Sequence, residues 1–212
     1  MIIVQNSILS EVGRFFGEKV ARLGPTPAGA DFNSEAAQTV RFRQFVRLLD
    51  FGAPFSLIDF GCGYGALATY LLDLGLPLRR YVGFDVSQEM IEAARSQMPA
   101  DLETELSTEI GDIGTADFTI ASGIFNVKLN ADTAAWRYHI VETLDVFARA
   151  SVKGFAFNML TSYSDRERMR SDLYYGDPCW FFDHCKRTFS RNVAVLHDYE
   201  LYDWTMSVRL GP

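Results

Sequence analysis

The sequence has no long apolar run, no excess of basic charge and few metal-binding side chains. Its apolar stretches, such as Gly154 to Phe157 followed by Met159 and Leu160, fall well short of the roughly 18 residues of a membrane-spanning helix. No membrane partner is expected. Lys and Arg number 20 against 27 Asp and Glu, a net charge of −7. Nucleic-acid binding depends on neutralising phosphates, and with no basic run no nucleic-acid partner is expected. The three cysteines (Cys62, Cys179, Cys185) and three histidines (His139, His184, His197) are scattered. Their spacing fits no zinc pattern, so no metal is expected, and an odd set of thiols suits a reducing compartment. Seven Pro and 16 Gly exclude collagen-like and low-complexity classes. The opening MIIVQNSIL lacks a basic segment before it and a clean cleavage site after it, so no signal peptide is read and the expected location is cytoplasmic.

What is present is enough for a sizeable core. Hydrophobic residues make up 48% of the 212, and one domain is the expectation for this length. An N-terminal helical cap over residues 1–52 precedes a core over 53–212. Helices are expected over about Ser7–Leu23 and, capped by Ser34, over Ser34–Asp50, where Val40, Phe42, Phe45, Val46, Leu48 and Leu49 form an apolar face. The breaker cluster Gly24 to Gly29 separates them.

From Pro54 strands and helices alternate. Strands are expected at Phe55–Phe60, Tyr81–Asp85, Leu106–Ile110, Asp117–Ala121, Val152–Leu160, Val193–His197 and Tyr202–Leu210. Helices are expected at Ala66–Leu74, from Ser87 as cap to Met98, at Ala131–Ala150, and at Asp177–Phe189 with Pro178 in the first helical position. This pattern predicts an α/β fold: a Rossmann-like, seven-stranded, mostly parallel sheet with helices on both faces. The last two strands are too close for a crossover helix, so they form an antiparallel hairpin. Ligands of such sheets bind beyond the carboxyl ends of the strands.

The strongest signal is Asp59-Phe60-Gly61-Cys62-Gly63-Tyr64-Gly65, with three alternate glycines between a strand and a helix. Glycine tolerates positive φ and lets a ligand approach the backbone. Gly61, Gly63 and Ala66 also fit a dinucleotide fingerprint. Asp85, at the end of the next strand, can accept from both hydroxyls of a ribose, which nicotinamide dinucleotides and S-adenosylmethionine share. Asp59 separates the two. An acid beside the loop repels a pyrophosphate but suits a sulfonium and an ammonium. The Tyr-x-x-x-Lys pair of many oxidoreductases is also missing, since neither Tyr70 nor Tyr81 has a Lys four residues on.

The segments LIDFGCGYGALATYL and YVGFDVSQEMIEAA resemble motifs I and II of class I S-adenosylmethionine-dependent methyltransferases. The resemblance spans about Phe55 to Leu210. It implies that Asp59, Gly61, Cys62, Gly63 and Gly65 surround the methionyl part of the cofactor, that Asp85 binds its ribose and that Val86 lies near its adenine. Gly111-Asp112-Ile113 resembles the next motif, which places Asp112 and Ile113 at the adenine, although Asp112 also suits a plain turn. Gln38, Arg41 and Phe42 share one helix face. By the resemblance Gln38 and Arg41 close over the cofactor, with Arg41 on its carboxylate. FNSEAAQTVRF, ASGIFNVKL, FNML, LYYGDP and LHDYELYDWT resemble a bacterial subgroup of these enzymes and guide site positions only.

The methyl acceptor is expected past the fourth and fifth strands. Ser122-Gly123-Ile124-Phe125-Asn126 is neither the (D/N)-P-P-(Y/F/W) of amino-group methylases nor the Pro-Cys of cytosine C5 enzymes. Asn126 is a catalytic candidate, as is His197, placed as a general base. Phe125, Asn158, Tyr174, Tyr175 and Tyr199 are acceptor-binding candidates. The expected activity is S-adenosylmethionine-dependent methylation of a small molecule on oxygen, yielding S-adenosylhomocysteine, with a homodimer open. A non-catalytic cofactor-binding protein of the same fold, or an NAD(P)-dependent oxidoreductase, is the alternative.

Overall fold

The computed structural model describes residues 2–48 and 51–211, with side chains for residues 9–47 and 51–211. The expected end of the second helix at Leu49 and Asp50 lies outside the described residues. Two helices come first, α1 (Ile2–Leu23) and α2 (Glu35–Leu48). Then follow β1 (Phe55–Phe60), α3 (Ala66–Asp73), β2 (Leu78–Phe84), α4 (Gln88–Gln97), β3 (Glu103–Ser107) and β4 (Ala116–Ala121). The chain continues with α5 (Thr133–Ala150), β5 (Ser151–Leu160), α6 (Pro178–Thr188), β6 (Val193–Leu196) and β7 (Asp203–Arg209).

The strands form one sheet in the order β3-β2-β1-β4-β5-β7-β6. All neighbours are parallel except that β7 runs antiparallel to both β5 and β6. The sheet is therefore seven-stranded and mostly parallel, with the terminal hairpin. Side chains alternate across it, as the two-residue period requires. Phe55 and Leu57 of β1 join Phe118, Ile120, α2 and α3 in one core. Ile58 and Phe60 join Phe155, Phe157, α5 and α6 in the core of the other face.

The helix starts are capped as their sequences direct. Ser87 Oγ accepts from Met90 N–H, Asp132 from Ala134 and Ala135, and Asp177 from Cys179 and Trp180 ahead of Pro178. One strand is displaced from its expected position. β3 runs from Glu103 to Ser107, and its Glu103 and Glu105 pair with Arg80 of β2. Residues Ile110–Asp112 instead form a 3₁₀ turn.

Candidate active site

The carboxyl ends of β1, β2 and β4 meet α1, α2 and α5 around a cavity of about 830 Å³. The glycine loop forms its base. Gly61 and Gly65 have φ of 77° and 84°. A Cβ on Gly61 would lie 2.2 Å from Ile124 Cγ2, and one on Gly65 2.4 Å from Met98 Cε. Both positions therefore require glycine for backbone shape, and Gly61 for space as well.

Asp85, just beyond β2, ties the loop to the next helix. Its Oδ2 accepts from Gly63 N–H and its Oδ1 from Ser87 N–H, each at 2.9 Å. Burial pushes its carboxyl up to about 6, against the pull of those two donors. Asp59, at the end of β1, accepts from the Tyr81 hydroxyl at 2.7 Å. Burial pushes Asp59 up to about 7; the Tyr81 bond opposes this and the Asp85 charge adds to it. No basic side chain is bonded to either acid among the described residues. The pair suits a ligand that brings hydroxyl donors and positive charge, and it disfavours a pyrophosphate. S-adenosylmethionine, with its ribose hydroxyls, sulfonium and ammonium, suits these acceptors.

The structure brings Gln38, Arg41, Asp59, Gly61, Cys62, Gly63, Asp85, Val86 and Asn126 to this one cavity. Gln38 there accepts from the Tyr64 hydroxyl at 2.8 Å, which joins α2 to the glycine loop. Arg41 is turned differently from expectation. Its Nη2 lies 2.5 Å from Asp203 Oδ2 and its Nη1 bonds the Ala37 carbonyl, so the guanidinium braces α2 against β7. Asn126 Oδ1 accepts from Leu160 N–H at 2.9 Å, which pins the loop after β4 to the end of β5.

Other expected residues lie outside the cavity wall, each for a physical reason. His197 is exposed just past the end of the edge strand β6, its ring 5.9 Å from that of Tyr163. The hairpin sets β7 between β5 and β6, which carries His197 to the sheet margin. Phe125 is fully buried against Phe147 and Phe157, and its carbonyl accepts the Trp136 indole N–H at 2.8 Å. Asn158 is fully buried and accepts from Gly123 N–H at 2.6 Å, so it supports the loop from beneath. Tyr174 is buried in the core, and the Tyr175 hydroxyl accepts from Arg170 N–H. The Tyr199 hydroxyl is 2.8 Å from Thr205 Oγ1. Asp112 accepts from Ser107 Oγ, Ile113 is buried in the core and Gly65 starts α3; Thr108 to Ile110 line the cavity in place of Asp112 and Ile113.

The sequence reading missed one wall. Trp136, His139 and Thr143 project from α5, and Val12 and Phe16 from α1. His139 is the histidine of the cavity; burial lowers its pKa, so it is neutral at pH 7. Its ring lies 5.2 Å from that of Trp136. The spacing of these residues along α5 is that of any amphipathic helix, so nothing in it marked a site. Among the described residues, no group of three or more His, Cys, Asp or Glu is placed to hold a metal ion, and no helix is long and apolar enough to cross a membrane.

Comparison with known proteins agrees with this geometry. Residues 57–151 match the family described as Methyltransferase domain. Over 164 residues, 77% of this chain and 98% of the relative, the sequence is 48% identical to "Putative methyltransferase Rv1506c" of Mycobacterium tuberculosis (strain ATCC 25618 / H37Rv). The crystal structure of magnesium protoporphyrin IX methyltransferase from Synechocystis PCC 6803, with bound S-adenosylhomocysteine, superposes with a TM-score of 0.65. It covers 99% of both chains at 13% identity. The pyocyanin biosynthetic protein PhzM superposes with a TM-score of 0.62 over 92% of this chain and 62% of its own, at 18% identity. The strand order, the glycine loop with its two flanking acids and the relative at 48% identity agree: the chain belongs to the class I S-adenosylmethionine-dependent methyltransferases, whose methyl donor is S-adenosylmethionine.

Proposed function

We propose that the protein methylates a small, uncharged molecule on a hydroxyl oxygen. The carrying observation is the cavity itself. At about 830 Å³ it falls within the range of small-molecule sites. It is walled by α1 and α2 on one side and by the loop after β4 on the other. Its acids outnumber its free bases. Asp59, Asp85, Glu109, Glu142 and Asp145 line it, whereas of its bases Arg41 is paired with Asp203 and Arg170 with Asp172, and Arg149 adds one more. Such a wall disfavours an anionic acceptor.

In this reading Asp85 holds the ribose, and Asp59 faces the positive methionyl end of the cofactor. The cofactor supplies an electrophilic methyl group on a sulfonium. The residues orient the two partners and exclude water. Bound there, S-adenosylmethionine would give its methyl group to the acceptor oxygen, its sulfur keeping the electrons of the broken bond. The hydroxyl proton passes to the neutral His139 imidazole, which takes the base role first read for His197. Asn126, fixed through its Oδ1, shapes the acceptor end of the wall. Two structural neighbours are themselves named for small molecules, magnesium protoporphyrin IX and pyocyanin, which supports the small-molecule part of this reading alone.

The test is a screen of neutral hydroxyl compounds, anionic carboxylates and amines, with formation of S-adenosylhomocysteine as readout. Turnover confined to neutral hydroxyl compounds supports the reading. Turnover confined to carboxylates or amines overturns it.

A further inference from the structure

Tyr81 is a fully buried β2 tyrosine that hydrogen-bonds an acid of the cavity. Leu57 pairs with Tyr81, and Asp59 with Gly83, across the parallel β1–β2 ladder. Tyr81 and Gly83 point to the same face of the sheet as Asp59, by the two-residue period. The Tyr81 ring runs along β2 over Gly83 to reach Asp59. A Cβ on Gly83 would lie 3.1 Å from Tyr81 Cε1, 3.0 Å from Cys62 Sγ and 2.6 Å from Leu106 Cδ2. The missing side chain at Gly83 is what lets the hydroxyl arrive at Asp59 Oδ2.

We propose that Tyr81 is a positioning residue for the cofactor: its hydroxyl fixes the Asp59 carboxylate at the cavity wall, where no cation is bonded to it. The titratable groups around Asp59 are Tyr81 and Asp85 from β2 and its end and Cys62 from the glycine loop. From α2, Gln38 is held by Tyr64 and Arg41 by Asp203. The one side chain that lowers the Asp59 carboxyl is Tyr81. An Asp59 that has taken up a proton offers a positively charged ligand no charge. Tyr81 therefore sets the pH above which the cofactor binds well.

The test is calorimetric titration of S-adenosylhomocysteine from pH 5.5 to 8 into wild type, Tyr81→Phe, Gly83→Ala and Asp59→Asn. Tyr81→Phe keeps the ring and the packing. It is expected to bind about 5- to 50-fold more weakly at pH 7, because a smaller fraction of Asp59 is then ionised. Its affinity midpoint is expected to move up by about one to two pH units. Gly83→Ala moves the midpoint the same way, and Asp59→Asn abolishes the Asp59 step. Should Tyr81→Phe fail to fold, the carbon-13 carboxyl signal of Asp59 in wild type decides: it must titrate near neutrality and move down when the ligand binds. A Tyr81→Phe profile with the wild-type midpoint, or an Asp59 signal unmoved by ligand, overturns the proposal.

Discussion

Arg41 of α2 and Asp203 of β7 form an ion pair that is almost wholly buried, with the Asp203 side chain fully shielded. The pair locks α2 onto β7 and so fixes one wall of the cavity. Burial raises the Asp203 carboxyl, and Arg41 opposes that rise. Breaking a buried pair leaves an uncompensated charge, at a cost of about 3–5 kcal/mol. Arg41→Met is therefore expected to lose about that much stability at pH 7 in urea unfolding. With Arg41 gone the Asp203 pKa rises further, so the loss shrinks as pH falls and the acid takes up its proton. The double variant Arg41→Met/Asp203→Leu should recover most of it.

Asp59 and Asp85 make folding of the ligand-free protein depend on pH. Their carboxyls stand at about 7 and about 6, above the ordinary value of 3.8. A group raised on folding stabilises below its unfolded pKa, and that stability is lost as pH rises through the folded value. Stability should thus fall between about pH 4 and pH 7, by up to about 4 kcal/mol for Asp59. Urea midpoints of wild type and Asp59→Asn check this. The variant gains relative to wild type as pH rises, and parallel curves would refute the assignment.

Gly61→Ala places a methyl 2.2 Å from Ile124 Cγ2 at a backbone φ of 77°. Strain at such a position costs about 1–3 kcal/mol, and cofactor affinity should drop at least tenfold. Adding Ile124→Ala removes the clash but not the backbone strain. Calorimetry should show partial recovery in the double variant, and full recovery would mean that φ is not limiting.

His139 and His197 separate two placements of the base. General bases contribute typically 10²–10⁴-fold. His139→Gln should lower kcat by about that factor, with cofactor affinity unchanged and the pH–rate profile losing its lower limb. His197→Ala should leave kcat within about twofold, because the residue is exposed at the sheet margin.

Much of the fold was legible because its signals are local. Gly61, Gly63 and Gly65 mark a loop that few other structures need, and Ser87, Asp132 and Asp177 sit where helix starts want caps. The parts that were not legible depend on distant contacts. Nothing around Arg41 announces Asp203, 162 positions away in sequence, as its partner. Tyr81 reads as a strand core residue until Asp59 is seen beside it. His197 follows a strand as a catalytic residue does, but strand order decides which ends face the cavity. Tyr174 and Tyr175 lie in a segment sewn to its neighbours by backbone, through Val127 with Leu173 and Thr161 with Gly176, and that stitching leaves no local trace.

The most direct test of the central claim is thermal unfolding with S-adenosylhomocysteine, S-adenosylmethionine, NADH and NADPH, on wild type and Asp85→Ala. A ligand at 100 times its dissociation constant stabilises by about 2.7 kcal/mol, or roughly 5–11 °C for a chain of this size. The account predicts that shift with the two sulfur compounds alone, and its loss in Asp85→Ala. A shift with NADH or NADPH, or an undiminished shift in Asp85→Ala, would contradict it.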